Sequence, residues 1–151
     1  MKLTIRLILF LITLIWCIGF LYECLIRFFP FLISYYPFIK KTYSLVCHQD
    51  SKKLIELSCG NLLVCSRCTG IYAGSLIISF VLLFTKKIPS VNKRYFYLAL
   101  ILLVTDALST TIHLYNYSRT LAFFTGLFFG SILFLYFYKS LINLFSESIN
   151  K

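Results

Sequence analysis

Charged side chains are scarce in this chain: 13% of its 151 residues, against 60% hydrophobic. A soluble domain carries roughly a quarter charged residues, so the composition excludes an ordinary soluble globule. Acids are scarcer still, five Asp and Glu against fifteen Lys and Arg, for a net charge of +10. The basic residues flank apolar runs and do not line a polar face. Such flanking charges set topology and meet anionic lipid headgroups, so nucleic acid is not an expected partner. There is no internal repeat and no low-complexity tract. No small-x-small cleavage site follows the basic and apolar start. Glu23 spoils Leu21-Tyr22-Glu23-Cys24 as a lipidation site, so the first run reads as an uncleaved transmembrane helix. Cys-x-x-Cys-His is absent, so covalent haem has no support.

What the chain does have is long apolar runs. The first covers residues 7–22 and continues less purely to 29; the others cover about 66–85, 95–113 and 120–138. At ~1.5 Å per residue each spans roughly 26–30 Å, enough for a hydrocarbon core. The expected fold is an all-α membrane bundle of four transmembrane helices in a single domain, 1–151, with the lipid bilayer as principal partner. Glu23 and Arg27 stand four apart, the order that favours a helical ion pair. The aromatic stretch 28–39 carries Pro30 and Pro37, which oppose a continuous helix, so it is expected to lie at the interface. Residues 42–64 form a polar loop too short for a soluble core of its own.

Four spans put both chain ends on one side. Four of the nine residues in 86–94 are basic and none is acidic. That density in a short loop reads as cytoplasmic, which puts the termini inside and the 42–64 loop outside a bacterial inner membrane. Gly70-x-x-x-Gly74 and Gly126-x-x-x-Gly130 set glycines on one face of their helices. That spacing allows close helix packing, within the chain or in a homo- or hetero-oligomer.

The chemistry gathers at one membrane boundary. Cys47-His48-Gln49 lies in the loop, and Cys65-Ser66-Arg67-Cys68 opens the second long run. Helix counting brings the end of the third run to the same leaflet. Asp106, Thr110 and His113 share a helix face there, with Asn116 and Arg119 just beyond. An intramembrane carboxylate is costly and normally has a partner; Arg119, His113 or a bound cation are the candidates for Asp106.

Three uses fit the sulfur atoms. Cys47, Cys65 and Cys68 with His48 make a Cys₃His set suited to zinc or another soft or borderline transition metal; Cys59 offers a Cys₄ alternative. Arg67 and the helix N-terminus favour thiolate, which suits redox exchange with Cys47 or Cys59 as partner. A static disulfide is the third. Cys17 and Cys24 read as packing or lipid-facing thiols.

The run Cys47-His48-Gln49, then Cys65-x-Arg67-Cys68-Thr69-Gly70-Ile71-Tyr72 with Gly74, resembles a family of small, mainly bacterial membrane proteins, domain of unknown function 2085. Asp106, Asn116, Arg119, Gly126 and Gly130 resemble its second block, and the resemblance covers about 43–138. Lys52 and Lys53 stand near where the family has an arginine, and Ser109, Thr110 or Thr111 where it has a polar residue after the aspartate. Cys59 is not a family feature, which weakens the Cys₄ set. The resemblance implies an integral membrane protein and supplies no activity. The leading expectation is a membrane protein with a Cys/His metal site. Gln49, Arg67, Asp106, His113, Asn116 and Arg119 would support the pocket. A membrane thiol oxidoreductase and a structural or ion-transport module are the alternatives.

Overall fold

A computed structural model describes residues 3–85, 92–112 and 117–149. Its long elements are α1 (Leu3–Phe20), α4 (Ser66–Phe84), α5 (Lys93–Thr111) and α6 (Arg119–Ile149). Between α1 and α4 the chain builds a small cap. It consists of α2 (Tyr22–Phe28), a 3-10 segment (Pro30–Tyr35), α3 (Tyr36–Ser44), and strands β1 (Leu54–Leu57) and β2 (Gly60–Cys65).

Among the described residues three helices are long and apolar enough to cross a membrane: α1, α4 and Arg119–Ile142 of α6. The helix α5 has the length, but Lys93, Arg94 and Asp106 and its serine and threonines dilute its apolar character. The helix α6 runs past the expected end at 138, because no Pro or Gly follows to stop it. Pro30 and Pro37 each sit in the first turn of a short helix, where the missing N–H costs nothing. The 28–39 region is thereby broken into pieces too short to span.

The chain is not all-α. The cysteine loop contains an antiparallel hairpin pairing Leu54 with Cys65, Glu56 with Asn61 and Leu57 with Gly60. Gly60 has φ +154°, and an added Cβ there would press on Glu23. Leu62, Leu63 and Val64 are consecutive and all buried, at 4%, 3% and 0% exposure. Both faces of β2 are therefore covered. They join Cys17, Phe20, Tyr22, Tyr43 and Cys47 in one core where the top of α1 meets the cap.

Two further corrections concern α2. The chain turns at Leu21 and lays α2 against the hairpin. Cys24 is therefore in a disulfide with Cys59, and does not face lipid. Glu23 and Arg27 do not pair with each other. Glu23 Oε2 accepts the Asn61 N–H (2.7 Å) and its Oε1 accepts the Tyr36 hydroxyl (2.8 Å), while Arg27 donates to the Ser58 carbonyl (2.9 Å). The disulfide and these bonds staple the hairpin turn to α2.

In the bundle α4 packs between α1 and α6, and α5 packs on α6. Arg6 of α1 donates to the carbonyls of Leu82 (3.1 Å) and Thr85 (2.7 Å), capping the C-terminal end of α4. These are carbonyls a helix end leaves without partners, at its negative pole. The α4–α6 contact is backbone to backbone. A Cβ on Gly70 would collide with the Phe123 carbonyl, and one on Gly74 with that of Leu127. Reciprocally, a Cβ on Gly126 would strike the Arg67 carbonyl, and one on Gly130 that of Ile71.

Gly126→Ala should therefore push α6 away from the first turn of α4. We expect it to cost about 1–3 kcal/mol, the usual range for overpacking, read as a shift in the unfolding midpoint in mixed micelles. Ala in place of Ser140, far from this contact, should have little effect.

Candidate metal centre

The site is assembled where the middle of the cap meets the junction of β2 and α4. Cys47 follows α3, its N–H still bonded to the Tyr43 carbonyl (3.0 Å). Cys65 ends β2 and is the N-cap residue of α4, with extended backbone (φ −67°, ψ 160°). Cys68 lies in the first turn of α4. The three sulfur atoms all lie within 4.8 Å of one another. Zn–S bonds of about 2.3 Å set sulfurs in a tetrahedron about 3.8 Å apart. The triad therefore sits close to chelating geometry, with Cys47 buried and the other two half-buried.

Gln49 explains much of how the loop is held. It adopts a left-handed backbone (φ 52°), unusual for a residue with a side chain. Its amide Nε2 donates to the Leu63 carbonyl of β2 (2.9 Å) and the Lys40 carbonyl of α3 (3.2 Å). The Cys-His-Gln turn is thus tied to both elements that carry it. On the other side, Ser66 Oγ donates to the Lys53 carbonyl (3.1 Å), and Thr69 Oγ1 to the Cys65 carbonyl (3.1 Å).

Electrostatics single out Cys47. Its thiol is held well below the ordinary range, first by the side chain of Cys65, then by that of Cys68. Backbone N–H groups add to this: Cys65 N donates to Cys47 Sγ at 3.2 Å, and Gln49 N–H contributes. Cys65 moves the other way, raised first by its contact with Cys47. One thiolate is thus favoured in the triad, and it is centred on the loop cysteine. The sequence pointed instead to the Cys-x-x-Cys pair. A second negative charge beside the first is opposed unless a cation joins them.

His48 adjoins Cys47, but its ring is exposed and outside the thiol group. Cys59 is committed to Cys24 and is outside it too. Asp106 is paired with Arg67, which reaches it through Nε (3.0 Å) and Nη2. The expectation named Arg119, His113 or a cation for that role. Arg119 instead bonds Glu56 of β1 (2.9 Å) across an exposed pair, tying the hairpin to α6. Both links join the cap side of the molecule to α5 and α6. His113 and Asn116 lie outside the described residues.

Tyr117 was not anticipated. Its hydroxyl is buried and faces Ser66, and burial pushes its phenol up. Lys53 Nζ stands 5.9 Å from its ring centroid. Its place between Asn116 and Arg119 was the available signal.

Residues 47–136 match the family model described as predicted membrane protein DUF2085. The matched span begins at the first thiol and ends within α6, so it takes in the triad, the Arg67–Asp106 pair and the glycine contact. An uncharacterized protein of Methanocaldococcus jannaschii is 33% identical over 112 residues, covering 72% of this chain and 69% of that protein. No solved structure matches the chain. The chain is a predicted membrane protein. It belongs to the DUF2085 family.

Arg67→Met should leave the Asp106 carboxylate without its ion pair in a site where only 8% of that side chain is exposed. We expect a loss of about 3–5 kcal/mol, as for breaking buried pairs. Arg67→Met with Asp106→Leu should recover part of it, since no charge is then left behind. Unfolding curves of the single and double variants make the comparison, and equal losses would argue against a pair that matters.

Proposed function

We propose that this protein binds a soft or borderline transition metal ion of zinc type at the membrane surface, through Cys47, Cys65 and Cys68. The single observation that carries the reading is the convergence of three thiols from separate elements within 4.8 Å. His48 completes a tetrahedron by turning its exposed ring inward. A metal cation stabilises the second and third thiolates that the triad alone resists, so binding releases protons. Arg67, two residues after Cys65, offsets the excess negative charge of a trithiolate site while also holding Asp106. Gln49 acts on the ligands from outside, fixing the turn that presents Cys47.

The proposed layout has four spans, with α5 crossing beside α6. At ~1.5 Å per residue its 19 residues reach about 28 Å. Asp106 then enters the bilayer region already neutralised by Arg67. The aromatic segment around the 3-10 turn rests on the outer leaflet, with Phe28, Phe31 and Phe38 each at least 70% exposed. Orientation draws on two independent features. Disulfides persist in oxidising compartments, and Cys24–Cys59 lies on the cap side. The basic residues of 86–94 follow α4 in the sequence, whose C-terminal end is the one away from the cap. Both favour a cap outside and termini in the cytoplasm.

The low pull on Cys47 also suits thiol exchange, so a membrane thiol oxidoreductase is the second reading. Cys59 is not its resolving thiol, being bonded to Cys24.

Protein purified in mild detergent should hold one zinc-type ion per chain by elemental analysis. Cys47→Ser, Cys65→Ser or Cys68→Ser should each abolish it, and Cys17→Ser should not. Gln49→Ala should weaken binding by about 10- to 100-fold, the range for residues that orient ligands. His48→Ala should weaken it as well; unchanged affinity would give the fourth position to water. No stoichiometric metal in any preparation, with thiols that cycle at defined potentials, would replace the metal reading with the redox one.

Topology has its own check. In intact cells a membrane-impermeant maleimide should label metal-stripped Cys65 and Cys68, and should fail to label a cysteine introduced at Ser90. The reverse pattern would invert the orientation and leave the metal site untouched.

A further inference from the structure

Two apolar grooves flank the start of α5. The first, about 540 Å³, lies between α5 and α6 and is walled by Phe96, Leu133, Tyr136 and Phe137, with Lys93 beside them. Phe96 and Tyr136 meet edge to face across it, ring centroids 5.3 Å apart. The second, about 520 Å³, lies on α5 alone, walled by Leu98, Ile101 and Leu102, with Arg94. Tyr97 lines both, so the grooves share one side chain. They lie at the end of the bundle away from the cap, where Leu82 of α4 packs with Phe134 and Tyr138 of α6.

Apolar walls alone would accept any acyl chain. The ends of the grooves are more selective. Lys93 and Arg94 are the first two residues of α5, both exposed, and one belongs to each groove. No described lining residue of either groove is acidic. Lysine and arginine are the usual partners of a phosphate. Basic pockets between membrane helices take anionic headgroups in this way. Rings such as those of Tyr97 and Tyr136 suit the same headgroup level. A zwitterionic headgroup would bring a further cation to this pair, with no described lining carboxylate to receive it.

We propose that Lys93 and Arg94 hold the headgroup of an anionic, two-chain phospholipid, whose acyl chains lie in the two grooves on either side of Tyr97. The proposal rests on the reading that α5 lies in the bilayer beside α6. It does not rest on the metal reading, because none of the three thiols lines either groove.

Protein in mild detergent, titrated with lipid and read by native mass spectrometry, tests it. Dimyristoyl phosphatidylglycerol should bind tighter than dimyristoyl phosphatidylcholine by about tenfold or more, as two basic contacts would give. Joint Lys93→Gln and Arg94→Gln substitution should remove that preference. Joint Lys40→Gln and Lys41→Gln substitution, an equal loss of charge on the exposed cap surface, should leave it. Ile101 is 61% exposed, so Ile101→Trp should fill the second groove without disturbing the core. It should reduce binding of the two-chain lipid to that of one-chain lysophosphatidylglycerol. Excess glycerol phosphate, which has the headgroup charge and no chains, should not displace the lipid.

Equal affinity for the two headgroups in the unaltered protein would overturn the proposal, whatever the variants do. So would an equal loss in the Lys40 and Lys41 variant, which would make the preference a property of net charge. Displacement by glycerol phosphate would reduce the site to a phosphate site. The bilayer reading has a separate check in Val104→Cys, near the middle of α5. Its labelling by a water-soluble maleimide in native membranes would place that reading at fault. Protection there, with no headgroup preference, would fault the lipid site alone.

Discussion

The contact of α4 with α6, backbone against backbone, sets the position of everything else near the site. Four glycines allow it, and each lies over a carbonyl of the opposite helix. Two of those carbonyls belong to Arg67 and Ile71, in the first two turns of α4 after Cys65. The Cys68 thiol and the Asp106 partner Arg67 are therefore carried by a stretch of α4 whose position α6 sets. A membrane interior supplies little hydrophobic drive between helices, so close packing of small residues carries much of the association. Once α4 is fixed in this way, its N-terminal end becomes a rigid platform. The cap then needs only to bring Cys47 to it.

The cap does this with a small number of strong ties. Gln49 bonds two carbonyls from different elements, and its left-handed backbone turns the chain after Cys47. The disulfide holds the hairpin to α2. Tyr43 donates to the Trp16 carbonyl at the top of α1 (2.7 Å), joining cap to bundle. Buried Leu62, Leu63 and Val64 fill the space between. Ordering a long polar loop costs conformational entropy, and these ties and this core offset it.

Long periodic features were legible in the sequence. The apolar runs mark α1, α4 and α6, and the spacing of Cys47, Cys65 and Cys68 marks a group of thiols that the fold brings together. The glycine pairs mark the face where α4 and α6 meet. The hairpin was not legible, because alternation signals a strand only when one face is wet. Here Leu62, Leu63 and Val64 are all covered, and the run looks like any short apolar stretch. Pairings set by tertiary turns were hidden for a related reason. Glu23 and Arg27 have good spacing for each other, but the turn at Leu21 offers both of them nearer partners in the hairpin. Asp106 was matched to groups near it in sequence, Arg119 and His113, or to a bound cation, while its partner Arg67 comes from α4.

The Cys24–Cys59 staple joins residues 35 apart and encloses Cys47, but leaves Cys65 and Cys68 outside the closed loop. Cys47 thus lies inside the cross-linked part of the cap, while Cys65 and Cys68 lie where β2 runs directly into α4. An ion bridging them would act as a rivet across that boundary. Its departure would loosen the seat of Cys47, while the Gln49 bond to Leu63 and the Ser66 bond to Lys53 would still hold the cap to α4. Occupancy of the site would then register as a change in how firmly the Cys47 turn is held against the first turn of α4.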